Sequence, residues 1–272
     1  MNKRVLLTVI LSGILSILLT ACGTNASWEE EKDIQMSDRI VTEDVQVEWE
    51  LDDNQASDKE TLIRLHMTNN GKPIEDFDIS HEKLLHLIIV SKDLSYFNHV
   101  HPEYKGKGVF EIINEFPAGG EYRLAADFKP ADASSMTKTQ WVTVIGETAE
   151  TEAVTVDDIL EKSVDGKNVS LSFDSPLEAG KETTLKFTVN DEGTNQPITD
   201  LEPYLGSIGH VVVFSEDGER YLHVHALEDQ GSGPDALFET TFPESGIYKI
   251  WGQFQKDGEV FTVAFVVQLP PE

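Results

Sequence analysis

Two kinds of hydrophobic patterning divide the chain. Behind Lys3 and Arg4, positions 5–20 form an apolar run, VLLTVILSGILSILLT, which is short for a stable bilayer span. Beyond about residue 39, apolar and polar positions alternate, as in VQVEWEL (Val45, Val47, Trp49, Leu51) and NVSLSF (Val169, Leu171, Phe173). That period of two belongs to half-buried strands, and the turn clusters NNGKP and NDEGTNQP separate such runs. Long helical stretches are absent, so the body is expected to be all-β, and VTVDDILEKSVDG is expected to add a strand and one helical turn.

The body is written twice. HLIIVSKDLSYFNHVH (His86 to His101) aligns without a gap on HVVVFSEDGERYLHVH (His210 to His225), at an offset of 124 positions. Further on, FPAGGEY (Phe116 to Tyr122) matches FPESGIY (Phe242 to Tyr248) at an offset of 126. About seven short strands per copy are the spacing of a β-sandwich, so the fold class expected is two tandem immunoglobulin-like or cupredoxin-like β-sandwich domains. The first repeat is placed at residues 39–147 and the second at 154–272. The seam is expected near Gly146 to Ala153, where the acidic stretch GETAETEA has no apolar period.

The apolar run ends in Leu19-Thr20-Ala21-Cys22, which resembles a bacterial lipobox. Residues 1–21 therefore read as a lipoprotein signal peptide and Cys22 as the lipidated mature N-terminus, a two-chain type of anchor. Residues 22–38 read as a flexible acidic tether. The cysteine is the only one among 272 residues, which excludes an internal disulfide. With 49 acidic against 21 basic side chains the net charge is −28, and it becomes −30 once residues 1–21 are removed. A field of that sign repels nucleic acid and favours cationic partners.

Six of the eight histidines fall into the pattern H-x12-H-x-H: His86, His99 and His101, then His210, His223 and His225. The turn sequences SKDL and SEDG put the first member on one strand and the pair on the returning strand. Side chains at i and i+2 share a sheet face, so the pair lies side by side. In copy two, a register in which opposed positions sum to 435 sets His210 opposite His225, and all three imidazoles point the same way. Cross-strand Cβ atoms are then about 5 Å apart, within reach of one ion. A three-residue turn with a glycine bulge shifts the register by one and sends His210 to the other face. Both registers stay open, because Val211, Val212, Val213 and Phe214 are apolar on both faces.

Each triplet is expected to hold a divalent metal ion. Imidazole suits Cu(II) first and Zn(II) second, and the exported chain lacks the thiol that Cu(I) prefers. Asp93, Glu103 and Asp217 are further candidate ligands, whereas His66 and His81 fall outside the shared pattern and read as surface histidines. Whether the triplets form separate sites or face each other across the seam is open. The other reading of the triplets is a structural imidazole ladder or a pH-responsive cluster.

The segment His86 to Pro102, H…SxDLxxFxHxHP, together with FPxxGxY at Phe116 to Tyr122, resembles the YtkA-like domains, exported β-sandwich modules of bacterial lipoproteins. The resemblance covers both repeats and implies an immunoglobulin-like fold at the outer face of the cell membrane. No nucleophile with its base, G-x-S-x-G, phosphate loop or H-E-x-x-H is found, so the chain is expected not to be an enzyme. The expected role is metal handling or sensing. The alternative is a metal-free module whose sheets contact other envelope proteins.

Overall fold

A computed structural model describes residues 40, 42–52, 56–222 and 224–271. The expected signal peptide, tether and Cys22 lie outside these residues, as does His223. The first repeat contains β1 (Val45–Leu51), β2 (Glu60–Asn69), β3 (Lys72–Pro73), β4 (Phe77–Asp78), β5 (Leu85–Ser91), β6 (Phe97–Val100), β7 (Glu103–Gly106), β8 (Val109–Glu115), β9 (Gly120–Pro130) and β10 (Met136–Val144). The second contains β11 (Glu161–Val164), β12 (Lys167–Phe173), β13 (Glu182–Asp191), β14 (His210–Ser215), β15 (Tyr221–Leu222), β16 (His225–Ala226), β17 (Asp235–Thr241), β18 (Gly246–Lys256) and β19 (Glu259–Leu269).

In the first repeat one sheet runs β1-β2-β8-β7 and the other β10-β9-β5-β6. In the second the sheets run β11-β12-β13-β17-β16 and β15-β14-β18-β19. All named strand pairs are antiparallel. Setting aside the two-residue strands β3 and β4, the first repeat follows the immunoglobulin order, with strands A-B-E-D against C′-C-F-G. The second follows it too, with β11 added outside its strand A. Both domains are therefore immunoglobulin-like sandwiches, as the repeat pattern predicts.

Each sandwich closes on its own core, Ile63, Leu65, Phe110, Leu124 and Phe128 in the first and Leu185, Phe187, Phe238, Phe254 and Phe265 in the second. The FPxxGxY motif explains itself here. It forms the corner between strands E and F, where Tyr122 Oη donates to the Ala118 carbonyl at 2.8 Å and Tyr248 Oη to the Glu244 carbonyl at 2.9 Å. The motif phenylalanine packs against the same ring, with centroids 4.8 Å apart for Phe116–Tyr122 and 5.0 Å for Phe242–Tyr248.

The hairpins settle the open register. Ile88 pairs with His99 in copy one, and Val213 with Leu222 in copy two, so opposed positions do sum to 435. The turn nonetheless carries a left-handed residue, Leu94 (φ 57°) or Gly218 (φ 71°). A bulky residue survives there because Asp93 Oδ1 accepts from Ser91 Oγ and from the Ser95 N–H, and because Leu94 is fully buried. Burying a leucine side chain gains about 2 kcal/mol, which outweighs the 1–2 kcal/mol of a left-handed backbone.

The expected linker is laid along both domains. Gly119 N–H donates to the Glu147 carbonyl at 2.8 Å, Glu152 N–H to Asp93 Oδ2 at 3.0 Å, and Val266 N–H to Asp157 Oδ2 at 2.7 Å. The helical turn expected after it is not formed. Residues 154–160 are irregular, tied where Asp157 N–H donates to the Val266 carbonyl of β19 at 3.0 Å and where Leu171 N–H of β12 donates to the Leu160 carbonyl at 2.9 Å, and β11 follows directly.

Removing either corner hydroxyl, by Tyr122→Phe or Tyr248→Phe, deletes one buried hydrogen bond and is expected to cost about 1 kcal/mol. Urea titration should show a lower midpoint with an unchanged slope.

Candidate metal centre

Strands β5 and β14 are buried on both faces, and the alternation assigns each face a different job. Leu85, Leu87 and Ile89 enter the first core, and Val211 and Val213 the second. The opposite faces meet each other. Ile88, Val90, Leu94 and Ala125 of one repeat pack on Val212, Phe214 and Trp251 of the other, and Phe97 stacks on Trp251 with centroids 5.0 Å apart. Ile88 and Val90 align in sequence with Val212 and Phe214, so the contact is close to self-complementary, like a two-fold dimer interface within one chain.

At one end of this seam stand His86 and His210, which occupy equivalent positions and are 3% and 7% exposed. Their rings stack, 5.3 Å apart and 12° from parallel. His99 lies 5.2 Å from His86 and 4.7 Å from His210 by ring centroid. One ligand nitrogen from each of His86, His99 and His210 falls within 4.8 Å of the others. The cluster thus draws two imidazoles from the first repeat and one from the second.

A hydrogen bond assigns the proton of His86. His86 Nε2 is 3.0 Å from the Ser80 carbonyl, which only accepts, so Nε2 carries the hydrogen. His99 Nδ1 lies 2.7 Å from Gln253 Oε1, and which His99 nitrogen carries the hydrogen follows from the orientation of that amide. His86 Nδ1 and His99 Nε2 face each other at 3.0 Å, the distance of a hydrogen bond. His86 Nδ1 presents a lone pair there, which a hydrogen on His99 Nε2 or a cation shared by the two rings can satisfy. Burial, reinforced by the neighbouring His86, pushes His99 down to about 3, and burial followed by His86 pushes His101 down to about 4. Both are neutral at pH 7, the form in which imidazole binds metal.

His101 also belongs to the group. Its ring lies 5.0 Å from His86 and 4.8 Å from His99, and its Nε2 is buried without a hydrogen-bond partner. The first triplet therefore does gather on one face. The second does not gather in the same way. His225 sits in β16, opposite Glu239 of β17, in the sheet that does not contain His210. The copies differ at the next residue. Pro102 follows His101 and has no N–H to give a ladder, and β7 starts at Glu103. Copy two has Ala226 at that position, and its ladder begins at His225. Among the described residues, one cluster forms between the domains, drawing His86, His99 and His101 from the first repeat and His210 from the second.

Other candidates also move. Asp93 and Asp217 spend their carboxylates on the turns, and Glu103 pairs with Lys105 at 2.6 Å. Asp93 is held down at about 2 by hydrogen bonds from Ser91, the Glu152 N–H and Ser95, which overcome its burial. His66 remains apart, 3.3 Å from Glu50 on the outer sheet. His81, expected at the surface, instead lies with its ring 6.0 Å from His86 and 5.5 Å from His210. Sequence reasoning also missed Gln253 and buried Asp127, which pairs with His86 across the ladder and accepts from Tyr221 Oη at 3.2 Å.

A family model described as "Domain of unknown function (DUF8832)" matches residues 40–146 and again residues 162–270. The chain belongs to the DUF8832 family. The two DUF8832 copies coincide with the two sandwiches, so the metal-centre candidate lies between copies. No curated protein matches the chain in sequence. Among solved structures, invasin, a bacterial integrin-binding protein, is 10% identical over 84% of this chain and 40% of its own, with a TM-score of 0.27. A two-domain fibronectin type III segment of chicken tenascin is 17% identical over 81% of this chain and 97% of its own, with a TM-score of 0.24. The D00–D0 segment of intimin is 11% identical over 82% and 98%, with a TM-score of 0.23. The DUF8832 chain spans 40% of the invasin chain, and scores this low carry nothing about binding.

Acid should weaken the metal-free fold. The folded-state values of His99 and His101 lie below the unfolded value near 6.5, so the unfolded chain binds more protons between pH 6.5 and 3. Their contribution is complete above about pH 6.5 and is lost as pH falls toward 3. Urea midpoints between pH 8 and 4 should decline, and His101→Phe should flatten that decline.

Proposed function

We propose that the seam between the two DUF8832 domains binds one divalent ion, Cu(II) in preference to Zn(II), through His86, His99 and His210, with His101 beside them as a fourth donor. The observation that carries this reading is that one ligand nitrogen from each of the three rings falls within 4.8 Å of the others at a buried seam. Outer hydrogen bonds such as those to the Ser80 carbonyl and Gln253 are how proteins orient histidine ligands. An all-nitrogen donor set without sulfur suits Cu(II) and Zn(II) and favours the former. The role is binding, for metal handling or sensing, and not catalysis. The leader and Cys22 support a lipoprotein of the YtkA-like kind, tethered by lipid at the extracytoplasmic face of the cell membrane.

A second reading has one observation in its favour. Gln253 Nε2 reaches Thr262 Oγ1 only at 3.3 Å, and turning the amide would let Nε2 donate to His99. Ser80, His86, His99, Gln253 and Thr262 would then form a closed neutral chain suited to a metal-free envelope module. Gln253→Glu separates the two, because a carboxylate at pH 7 only accepts. An ion bound by Gln253→Glu supports the centre, whereas loss of stability with no ion taken up by either protein supports the neutral chain.

Metal analysis of the purified full chain after loading and desalting should find one ion per chain, not two. His86→Ala, His99→Ala and His210→Ala should each abolish retention, and His225→Ala should leave it intact. Two ions per chain, or an ion lost with His225, would contradict a shared site.

A further inference from the structure

Resting on that ion site, we infer that His81 is its gate: a side chain that passes the ion in and out without being needed to hold it. The turn Ser80–Lys83 is closed by two backbone hydrogen bonds, Ser80 N–H to the Lys83 carbonyl at 2.8 Å and Lys83 N–H to the Ser80 carbonyl at 3.0 Å. Its two central residues are both left-handed, His81 at φ 47° and Glu82 at φ 64°. Histidine is not what such a turn selects; glycine and asparagine are. The equivalent turn of the second repeat, Tyr204–Ser207, keeps the same hydrogen bonds and has Leu205 at φ 53° and Gly206 at φ 78° in those places. The backbone therefore does not require histidine at 81.

What His81 has is position. Its ring lies beside His86 and His210, one step farther out than the 4.7–5.3 Å spacings within the inner group. It is half-buried while His86 and His210 are almost fully buried. An aquated divalent ion cannot reach those two without losing water. An imidazole at the rim supplies one lone pair as one water leaves, and its bond to the ion is then exchanged for a bond to an inner nitrogen, so charge and ligand number balance at every step. Glu82 of the same turn adds a carboxylate at the rim, packed near Gly206 of the opposing turn. The opposing turn itself presents Leu205 and Gly206, which offer no ligand. The turn that carries His81 also supplies the Ser80 carbonyl that fixes the His86 tautomer, so rim and centre are built from one element.

A gate lowers the barrier in both directions and leaves the equilibrium alone. Stopped-flow uptake of Cu(II) from a weak chelator, and release to excess EDTA, should each slow roughly tenfold in His81→Leu, on the scale of supporting-residue effects at metal sites. The equilibrium Kd should stay within about threefold, and stoichiometry should remain one. Leucine is the choice because Leu205 already occupies the equivalent left-handed position; His81→Asn, which tolerates that backbone, is the second variant. Unchanged rates in both variants overturn the gate. A loss of the ion, or a Kd weakened with uptake unchanged, also overturns it and makes His81 a resident ligand. Failure of the unaltered protein to take up Cu(II) or Zn(II) is a different result, and sinks the centre itself.

Discussion

The packing of one C′-C-F-G sheet on its own copy is the contact on which the rest depends. Each domain has a complete core without it, and yet Ile88, Val90, Val212 and Phe214 would be exposed apolar side chains if the sheets were apart. Burying a Phe or Val gains on the order of 1.5–3 kcal/mol each, so the seam is a strong joint. Its near self-complementarity brings equivalent residues together, and that alone puts His86 on His210. Polar contacts then fix the angle: Lys249 Nζ donates to the Leu94 carbonyl at 2.7 Å and Trp141 Nε1 to Glu219 Oε1 at 2.9 Å.

The symmetry is broken where chemistry is concentrated. A perfect two-fold would place matching triplets around the axis. His101 precedes Pro102 and stands outside β7, while its counterpart His225 precedes Ala226 and opens β16. Leu205 holds the turn position equivalent to His81, and Gln253 the ladder position equivalent to Asp127. Gln253 engages His99 Nδ1 at 2.7 Å, whereas Asp127 is engaged by a buried tyrosine whose hydroxyl is pushed well above 10 by burial and by that carboxylate. The duplicated frame thus carries an unduplicated site.

Much of the frame was legible. Period-two alternation and the repeat foretold two sandwiches, whereas the corner that the FPxxGxY tyrosine locks became visible only in the fold. The apolar character of Val211 to Phe214 on both faces was the hint of a second buried surface, but it left the register undecided, since a strand buried on both sides has no polar face to read. Which histidines meet depends on how the domains dock, and pattern within one hairpin is silent on that. The contrast of H-x-H-P with H-x-H-A was visible, and its meaning lies in the missing N–H of Pro102. His81 had no counterpart in the repeat, so repetition could not reveal it, and only the left-handed turn brings it to the rim.

The most direct test of a shared centre is anomalous diffraction at the copper edge from crystals of the Cu(II)-loaded protein. The account predicts a single peak between the domains, with His86, His99 and His210 nitrogens at about 2 Å. A peak held within the second domain by His225, or none near His86, would contradict it.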